Sequence, residues 1–293
     1  MPDSEPIVYL NGCFLPRREA TLDIEDRGIM YGDGVYEVLR YYGGRALAMD
    51  RHVARLRRSL AQIALTEPAA FARFGAISDE LVERNGGGDA TVYWQVTRGA
   101  APRRAAFPKG VPPTVLMLTY PADPIEPEDA VQALTAVTAE DVRWHNVSVK
   151  SLMLLPNVLA HNRALEAGAD AAILHRAGAV TEATSANIAI VRGGELWTHP
   201  ADQWILGGVT RAIALELART KGVPVFQRTF AVNDLLSADE VIICGTTTHI
   251  AGIVRVDGQP IGRHPGGGVG PVTRRLHGAI VRHVRNVCGL TAG

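Results

Sequence analysis

Lysine is almost missing from this 293-residue chain. Of its 30 basic residues only Lys109, Lys150 and Lys221 are lysines, and the other 27 are arginines. Wherever the sequence needs a plain surface cation it uses arginine, so each lysine calls for its own reason. Lys109 lies in the turn-rich Phe107-Pro108-Lys109-Gly110, and Lys221 precedes Gly222 at the end of a helical pattern, where a cation favours the terminal carbonyls. Lys150 has neither setting. It falls in Val147-Ser148-Val149-Lys150-Ser151-Leu152-Met153-Leu154-Leu155, an apolar stretch in which an ammonium is costly to desolvate and its pKa is lowered, the condition amine chemistry needs. A strand that turns Lys150 outward accounts for the same residues equally well.

Other shortages narrow the field. Cys13, Cys244 and Cys288 are too few and too scattered for a disulfide framework or a CxxC metal site, and their odd count suits buried thiols in a reducing compartment. No apolar run approaches the roughly 18 residues of a membrane helix, and Met1 to Glu5 lack a signal peptide's basic-then-apolar pattern, so a cytoplasmic protein is expected. Neither sign of charge is in excess: 30 basic and 30 acidic residues give a net charge of zero, which removes the field that general nucleic-acid or anionic-membrane binding requires. A small neutral or zwitterionic ligand fits better. HExxH, GxSxG, paired CxxC and GxxxxGK[ST] are all absent, and His52, His145, His161 and His175 read as hydrogen-bonded structural residues, so no metal is expected. Gly32-Asp33-Gly34 precedes a strand rather than a helix and cannot be a dinucleotide fingerprint.

What is present is 47% hydrophobic and 20% charged residues, enough for a large core in one large domain or two modest ones. Asn11-Gly12 joins strands Ile7 to Leu10 and Cys13 to Leu15, and Gly43-Gly44 joins Val35 to Tyr42 with Arg45 to Met49. Asp50 reads as the N-cap of a helix with Val53, Leu56, Leu60 and Ile63 on one face. A second helix is expected from Ala69 to Arg84, then strands at Thr91 to Thr97 and Thr114 to Thr119. These make residues 1–119 a small α+β domain. Three prolines and four acids mark 120–129 as a linker, and 130–293 form a larger domain. There the pattern predicts strands at Val131 to Ala139, Ile188 to Val191, Leu196 to Thr198, Val241 to Cys244 and Ile253 to Val256. Helices are expected from Pro156 to Glu166, from near Gly208 and from Pro271.

Three segments of the larger domain can carry chemistry. Leu206-Gly207-Gly208-Val209-Thr210-Arg211 opens a helix, where unpaired amides, the positive dipole end and the Thr210 hydroxyl suit a phosphate; glycines serving only a turn give the same pattern. Gly245-Thr246-Thr247-Thr248 ends an apolar strand and reads either as a second anion site or as a threonine-rich turn. In Val180-Thr181-Glu182-Ala183-Thr184-Ser185-Ala186-Asn187-Ile188, a lone acid among small hydroxyls needs a cationic partner, either an arginine or a protonated heterocycle. Arg55 stands in a basic run with Arg51, Arg57 and Arg58, and its position alone does not single it out.

Taken together and in order, these segments carry a resemblance. Asp26-Arg27-Gly28, Tyr31-Gly32-Asp33-Gly34-Val35-Tyr36-Glu37-Val38, His52-Val53-Ala54-Arg55-Leu56, Val149-Lys150-Ser151-Leu152, Thr181 to Asn187 and Ile205 to Arg211 resemble the class IV pyridoxal-phosphate aminotransferases over nearly the whole chain. Gln95-Val96-Thr97-Arg98-Gly99 with Pro102-Arg103, and Thr246-Thr247-Thr248 before Asp257-Gly258, look like the D-amino-acid subgroup. The resemblance implies a two-domain fold-type IV enzyme, α+β with a mixed sheet in the larger domain, that transaminates a D-amino acid and a 2-oxo acid with ping-pong kinetics. It implies that Lys150 carries pyridoxal 5′-phosphate as a Schiff base, that Glu182 pairs with the ring nitrogen, and that Arg55, Leu206, Val209, Thr210 and Thr246 hold the cofactor with Ser185 behind them. Tyr36, Thr247 and Arg103 would bind substrate, Arg103 being contributed across a homodimer interface.

One departure from that pattern is Pro102-Arg103-Arg104-Ala105, which has Ala105 where the subgroup has histidine. Alternatives sharing these motifs are a branched-chain L-amino-acid or (R)-amine aminotransferase, a lyase resembling aminodeoxychorismate lyase, and a noncatalytic binder of a phosphorylated metabolite. Such a binder has no need of Lys150 in an apolar stretch.

Overall fold

Asn11 and Gly12 both take the left-handed backbone, with φ 48° and 101°, the geometry of a two-residue hairpin turn. They close β1 (Ile7–Leu10) onto β2 (Cys13–Pro16), with Leu10 facing Cys13 and Ile7 facing Pro16. Cys13 is exposed at this edge, unlike the buried thiol expected, whereas Cys244 and Cys288 are buried. The computed structural model describes residues 5–262 and 268–290, which divide into two units. One comprises residues 5–125, 149–153 and 284–290, and the other the remaining described residues.

The first unit continues with α1 (Arg27–Tyr31), β3 (Gly34–Tyr42), β4 (Arg45–Ala46), α2 (Met49–Gln62), α3 (Phe74–Arg84), β5 (Ala90–Thr97) and β6 (Thr114–Pro121). Its six strands pair antiparallel in the order β2-β1-β6-β5-β3-β4. Leu39, Trp94 and Met117 from the sheet, Leu56 and Leu60 from α2, and Phe74 and Leu81 from α3 are buried. Two expectations change here. Asp50 is not the N-cap of α2: Ala48, left-handed at φ 52°, takes that position, and Asp50 lies in the first turn, where its charge faces the helix dipole. The helix expected over 69–84 is α-helical only from Phe74. Phe71–Arg73 form a 3-10 turn, because the Phe71 and Arg73 amides bond to the Pro68 and Ala70 carbonyls three residues back.

The second unit holds β7 (Ala133–Glu140), α4 (Leu155–Glu166), β8 (Ala171–Arg176), β9 (Ala179–Ala183), β10 (Asn187–Arg192), β11 (Glu195–Thr198), α5 (Val209–Thr220), β12 (Val225–Gln227), α6 (Val232–Leu236), β13 (Glu240–Gly245), β14 (His249–Val256) and β15 (Gln259–Pro260). The order β12-β11-β10-β13-β14-β7-β8-β9, with β15 on β14, makes a mixed sheet, parallel at β11-β12, β14-β7 and β7-β8. Ile173, Val180, Ile188, Ile190, Val241, Ile253 and Val256 build its core with Phe230 and Leu235. α7 (Pro271–Cys288) opens on the buried Glu240 carboxylate, which accepts from the Val272 and Thr273 amides at 2.9 and 2.7 Å. Its far end supplies Val284 and Cys288 to the first unit, against Tyr42 and Leu47.

Chain passage differs from the linear division of the sequence. The acidic 120–129 segment is strand through Pro121, and the first unit gives way to the second between Ile125 and Glu126. Residues 149–153, grouped by sequence with the larger domain, join the first unit because their main chain bonds to β3. Among the described residues no helix is long and apolar enough to cross a membrane.

Candidate active site

In the first unit, β3 and the Lys150 segment lie side by side. The Tyr36 amide donates to the Lys150 carbonyl at 2.9 Å, the Leu152 amide to the Gly34 carbonyl at 3.1 Å, and Val35 and Ser151 form an antiparallel bridge. The Lys150 amide donates to Ser59 Oγ on α2 at 3.2 Å. Gly34 allows this approach, since an added Cβ would meet the Val96 carbonyl oxygen at 2.6 Å and Leu152 Cδ1 at 2.8 Å. So fixed, Lys150 is half-buried and its Nζ lies 4.2 Å from the centroid of the Tyr36 ring. Tyr36 itself stacks on Tyr93, with ring centroids 5.7 Å apart.

Strand alternation sends the next residue, Glu37, to the other face, where it is fully buried against α2. Arg55 donates to both its oxygens at 2.7 Å, from Nε to Oε1 and from Nη2 to Oε2, and His52 Nδ1 is 2.8 Å from Oε2. Burial alone would raise the Glu37 carboxyl; the Arg55 guanidinium, helped by His52, overrides it and brings the pKa to about 2. Burial lowers the pKa of His52, with Glu37 opposing and the charges of Arg55 and Lys150 adding to the fall. The Glu37 partnership is absent from the sequence reading. Its signal was present: a carboxylate in an otherwise buried strand needs a cation.

In the second unit, Glu182 on β9 gathers donors from three directions. Arg143 Nη1 donates to Oε1 at 2.5 Å, and Asn187 Nδ2 and the Leu206 amide to Oε2 at 2.9 and 3.0 Å. Of the two partners open in the sequence reading, an arginine is therefore present. Arg143 is held in turn by Asp141, whose Oδ1 accepts from Nε at 2.9 Å and whose Oδ2 accepts from Nη2 at 2.8 Å. Burial would raise Asp141, but hydrogen bonding and charge from Arg143 bring it to about 2. Asp141 and Glu182 together outweigh the burial of Arg143 and keep it charged.

Asn187 also donates to the Leu206 carbonyl at 2.9 Å, which ties Glu182 to the turn before α5. Gly208 is the N-cap of α5, and Val209 and Thr210, both buried, are its first residues, so their amides have no intrahelical acceptor. An added Cβ at Gly208 would overlap Asn187 Oδ1. Thr246 to Thr248 form the turn between β13 and β14, Thr246 half-buried and Thr247 exposed. Ser185 is exposed in the β9–β10 turn, and its carbonyl lies close to Gly245, just before Thr246. The second unit thus brings together Glu182, Leu206 and the start of α5, and the first unit Tyr36 and Lys150. Arg103, also in the first unit, is exposed, with its guanidinium 5.3 Å from the Tyr31 ring centroid. Among the described residues no group of three or more His, Cys, Asp or Glu is placed to hold a metal.

The architecture is shared with aminotransferases of known structure. The branched-chain aminotransferase of Thermoproteus uzoniensis, solved with norvaline, is 27% identical with a TM-score of 0.86, covering 98% of this chain and 96% of that one. The branched-chain amino acid aminotransferase of Escherichia coli is 22% identical with a TM-score of 0.87, covering 99% and 97%, a likeness of fold alone. The fold is thus that of the fold-type IV aminotransferases. The family model for amino-transferase class IV matches residues 34–256, and the chain belongs to that family. D-alanine aminotransferases are similar along almost their whole length. That of Listeria innocua is 40% identical over 284 residues, 96% of this chain and 97% of its own, and that of Bacillus licheniformis is 40% identical over 93% and 95%.

Proposed function

We propose that this enzyme exchanges the amino group of a D-amino acid such as D-alanine with a 2-oxo acid, using pyridoxal 5′-phosphate. The observation that carries the reading is Lys150, whose main chain is latched to β3 and whose amine lies over the Tyr36 ring. Relatives 40% identical are named D-alanine aminotransferases, which supports the D-configured substrate.

The donor set suits the cofactor by its chemistry. A primary amine matches the aldehyde, the Glu182 carboxylate matches a protonated ring nitrogen, and the α5 amides with the Thr210 hydroxyl match a phosphate dianion. In this reading Lys150 holds the cofactor covalently and Glu182 keeps the proton on its ring nitrogen. Arg55, Val209, Thr210 and Thr246 hold its phosphate, with Ser185 behind them and Leu206 alongside. When bound, pyridoxal phosphate supplies an aldehyde that captures the substrate nitrogen and an electron-accepting ring that weakens the neighbouring Cα–H bond. Lys150 would be released when the substrate amine takes its place on the cofactor, and its freed Nζ would then take the proton from the substrate Cα, while Tyr36, Thr247 and Arg103 would hold the substrate, with Tyr36 and Arg103 on its carboxylate. Arginine suits this because its planar fork meets a carboxylate bidentately. A homodimer supplies Arg103 across its interface, and the two half-reactions give ping-pong kinetics.

Borohydride reduction of the holoenzyme followed by peptide mass spectrometry is expected to find the cofactor on the peptide bearing Lys150. Lys150→Ala should keep the fold and lose transamination. Coupled assays with D-alanine, L-leucine and a chiral amine complete the test. Turnover of L-leucine above D-alanine would move the assignment to the branched-chain enzymes, and cofactor found on another residue would remove the role of Lys150.

A further inference from the structure

The loop that carries Arg103 is exposed from Pro102 through Phe107, yet it is gripped from beneath by a guanidinium. Arg27, on α1 and only 3% exposed, donates through Nη1 to the Arg104 carbonyl at 2.6 Å. The Ala106 and Ala105 carbonyls lie 3.5 Å from its Nη1 and Nη2. Three successive carbonyls thus face one planar fork, an arrangement that a lysine's point charge cannot reproduce. The remaining nitrogen, Nε, donates to Asp33 Oδ2 at 2.8 Å.

Asp33 is shared. Arg98, at the end of β5, donates from Nε to the same oxygen at 2.9 Å and from Nη1 and Nη2 to the Ala64 and Ile63 carbonyls at 2.8 and 2.7 Å. Its guanidinium then covers the Phe107 ring, 3.7 Å from the centroid. Burial would raise the Asp33 carboxyl, but Arg98 and Arg27 hold it below its ordinary value, so a fixed anion ties the two arginines together. The loop is thereby held near one end by carbonyl capture and at the other by Arg98 under Phe107.

We propose that Asp33, Arg27 and Arg98 form a frame that positions residues 103–107, and that Arg27 is a positioning residue for recognition of the substrate carboxylate. The second clause rests on the role of Arg103 proposed above. An arginine on an unanchored loop loses conformational freedom each time it binds, whereas one on a pre-fixed loop does not. Capture through main-chain carbonyls is also indifferent to side chains, which is why Ala105 can stand where the related pattern has histidine. Arg27 touches neither substrate nor cofactor in this account and acts through the loop alone.

The test compares holoenzyme forms of wild type, Arg27→Lys, Phe107→Ala and Arg103→Ala. Arg27→Lys keeps a cation for Asp33 but not the fork, and Phe107 is 59% exposed, so its truncation spares the core. With each variant shown by size-exclusion chromatography to keep the wild-type assembly, so that the interface proposed above shields Arg103 equally in all, trypsin cutting after Arg103 and Arg104 follows the open population of the loop when opening is fast. Cleavage at these bonds, located by mass spectrometry, is expected to be about tenfold faster in Arg27→Lys and faster by a smaller factor in Phe107→Ala. KM for D-alanine should rise about tenfold in Arg27→Lys with kcat within about threefold of wild type. Unchanged cleavage in both variants overturns the frame, and faster cleavage with an unchanged KM overturns the positioning role of Arg27. Should Arg27→Lys fail to fold, the cleavage rate and KM of Phe107→Ala decide. Arg103→Ala separates the two layers: if its KM for D-alanine matches wild type, the role of Arg103 fails, while the cleavage result still judges the frame.

Discussion

Glu182 illustrates how a carboxylate is held ready without being neutralised. Arg143 occupies one of its oxygens, and Asn187 and the Leu206 amide share the other. A carboxylate offers about four acceptor sites, so it takes all three donors without giving up its charge. Because Arg143 also binds both oxygens of Asp141, its charge is divided between two carboxylates. In the proposed role, Glu182→Gln keeps the shape and removes the charge that retains the ring proton. The rate of Cα proton removal in a single turnover is then expected to fall by on the order of 100-fold, with cofactor still bound. An unchanged single-turnover rate would falsify that role. Sequence alone reached Glu182 and the need for a partner, but not Arg143. The two are joined only because β7, which leads into Arg143, and β9, which carries Glu182, flank β8 in the sheet, and nothing local to either segment reports that.

Among the elements, the start of α5 carries the sharpest constraint. Gly207 and Gly208 look equivalent in sequence, yet a Cβ at Gly207 meets nothing within 4 Å while one at Gly208 overlaps Asn187 Oδ1. Gly208 has φ −64° and ψ 134°, an extended backbone open to any residue, so glycine is needed there for room and not for conformation. Gly208→Ala should push Asn187 off Glu182 and the Leu206 carbonyl and cost about 1–3 kcal/mol. Gly207→Ala is expected to stay within about 0.5 kcal/mol of wild type. Thermal unfolding of the two variants side by side checks this, and equal losses would show that Asn187 moves aside freely. Periodicity located α2 and α7, whose apolar residues recur at helical spacing, while strand-forming residues before the Gly43-Gly44 turn located β3. Sequence pattern missed β9, β12, β15 and α6, and with them β8 and α1. Ala171-Ala172-Ile173-Leu174 is a buried run with no alternation to read, and α1 is a five-residue helix capped by the Asp26 carboxylate on the Gly28 amide.

For the whole molecule, acid is the expected weak point. Asp33, Glu37 and Asp141 all lie below their ordinary range because guanidiniums outweigh burial, and Glu37 and Asp141 come to about 2. A carboxyl depressed by folding contributes stability that is complete above its unfolded pKa and is lost as pH falls toward the folded one. The urea midpoint should therefore decline as pH drops from about 4.5 to about 2. His52 adds an earlier loss beginning near pH 6.5, since the unfolded chain takes up a proton that the buried ring refuses. Glu37→Gln should lower the midpoint at neutral pH and flatten the acid limb; a limb as steep as in wild type would mean that other carboxylates govern it. Composition left one large domain or two modest ones open and the 120–129 segment suggested the divide, but a linear reading could not show that residues 149–153 and 284–290 return to the first unit, since those returns rest on main-chain bonds to β3 and on Val284 and Cys288 against Tyr42. The consequence appears during synthesis. A ribosome delivers the chain in order, and domains usually fold as units as they emerge. Here the first unit waits for its closing residues until position 290 has been made. Until then its sheet leaves Tyr42 and Leu47 without Val284 and Cys288, a nascent form expected to lean on chaperones and to be lost when the last helix is cut short.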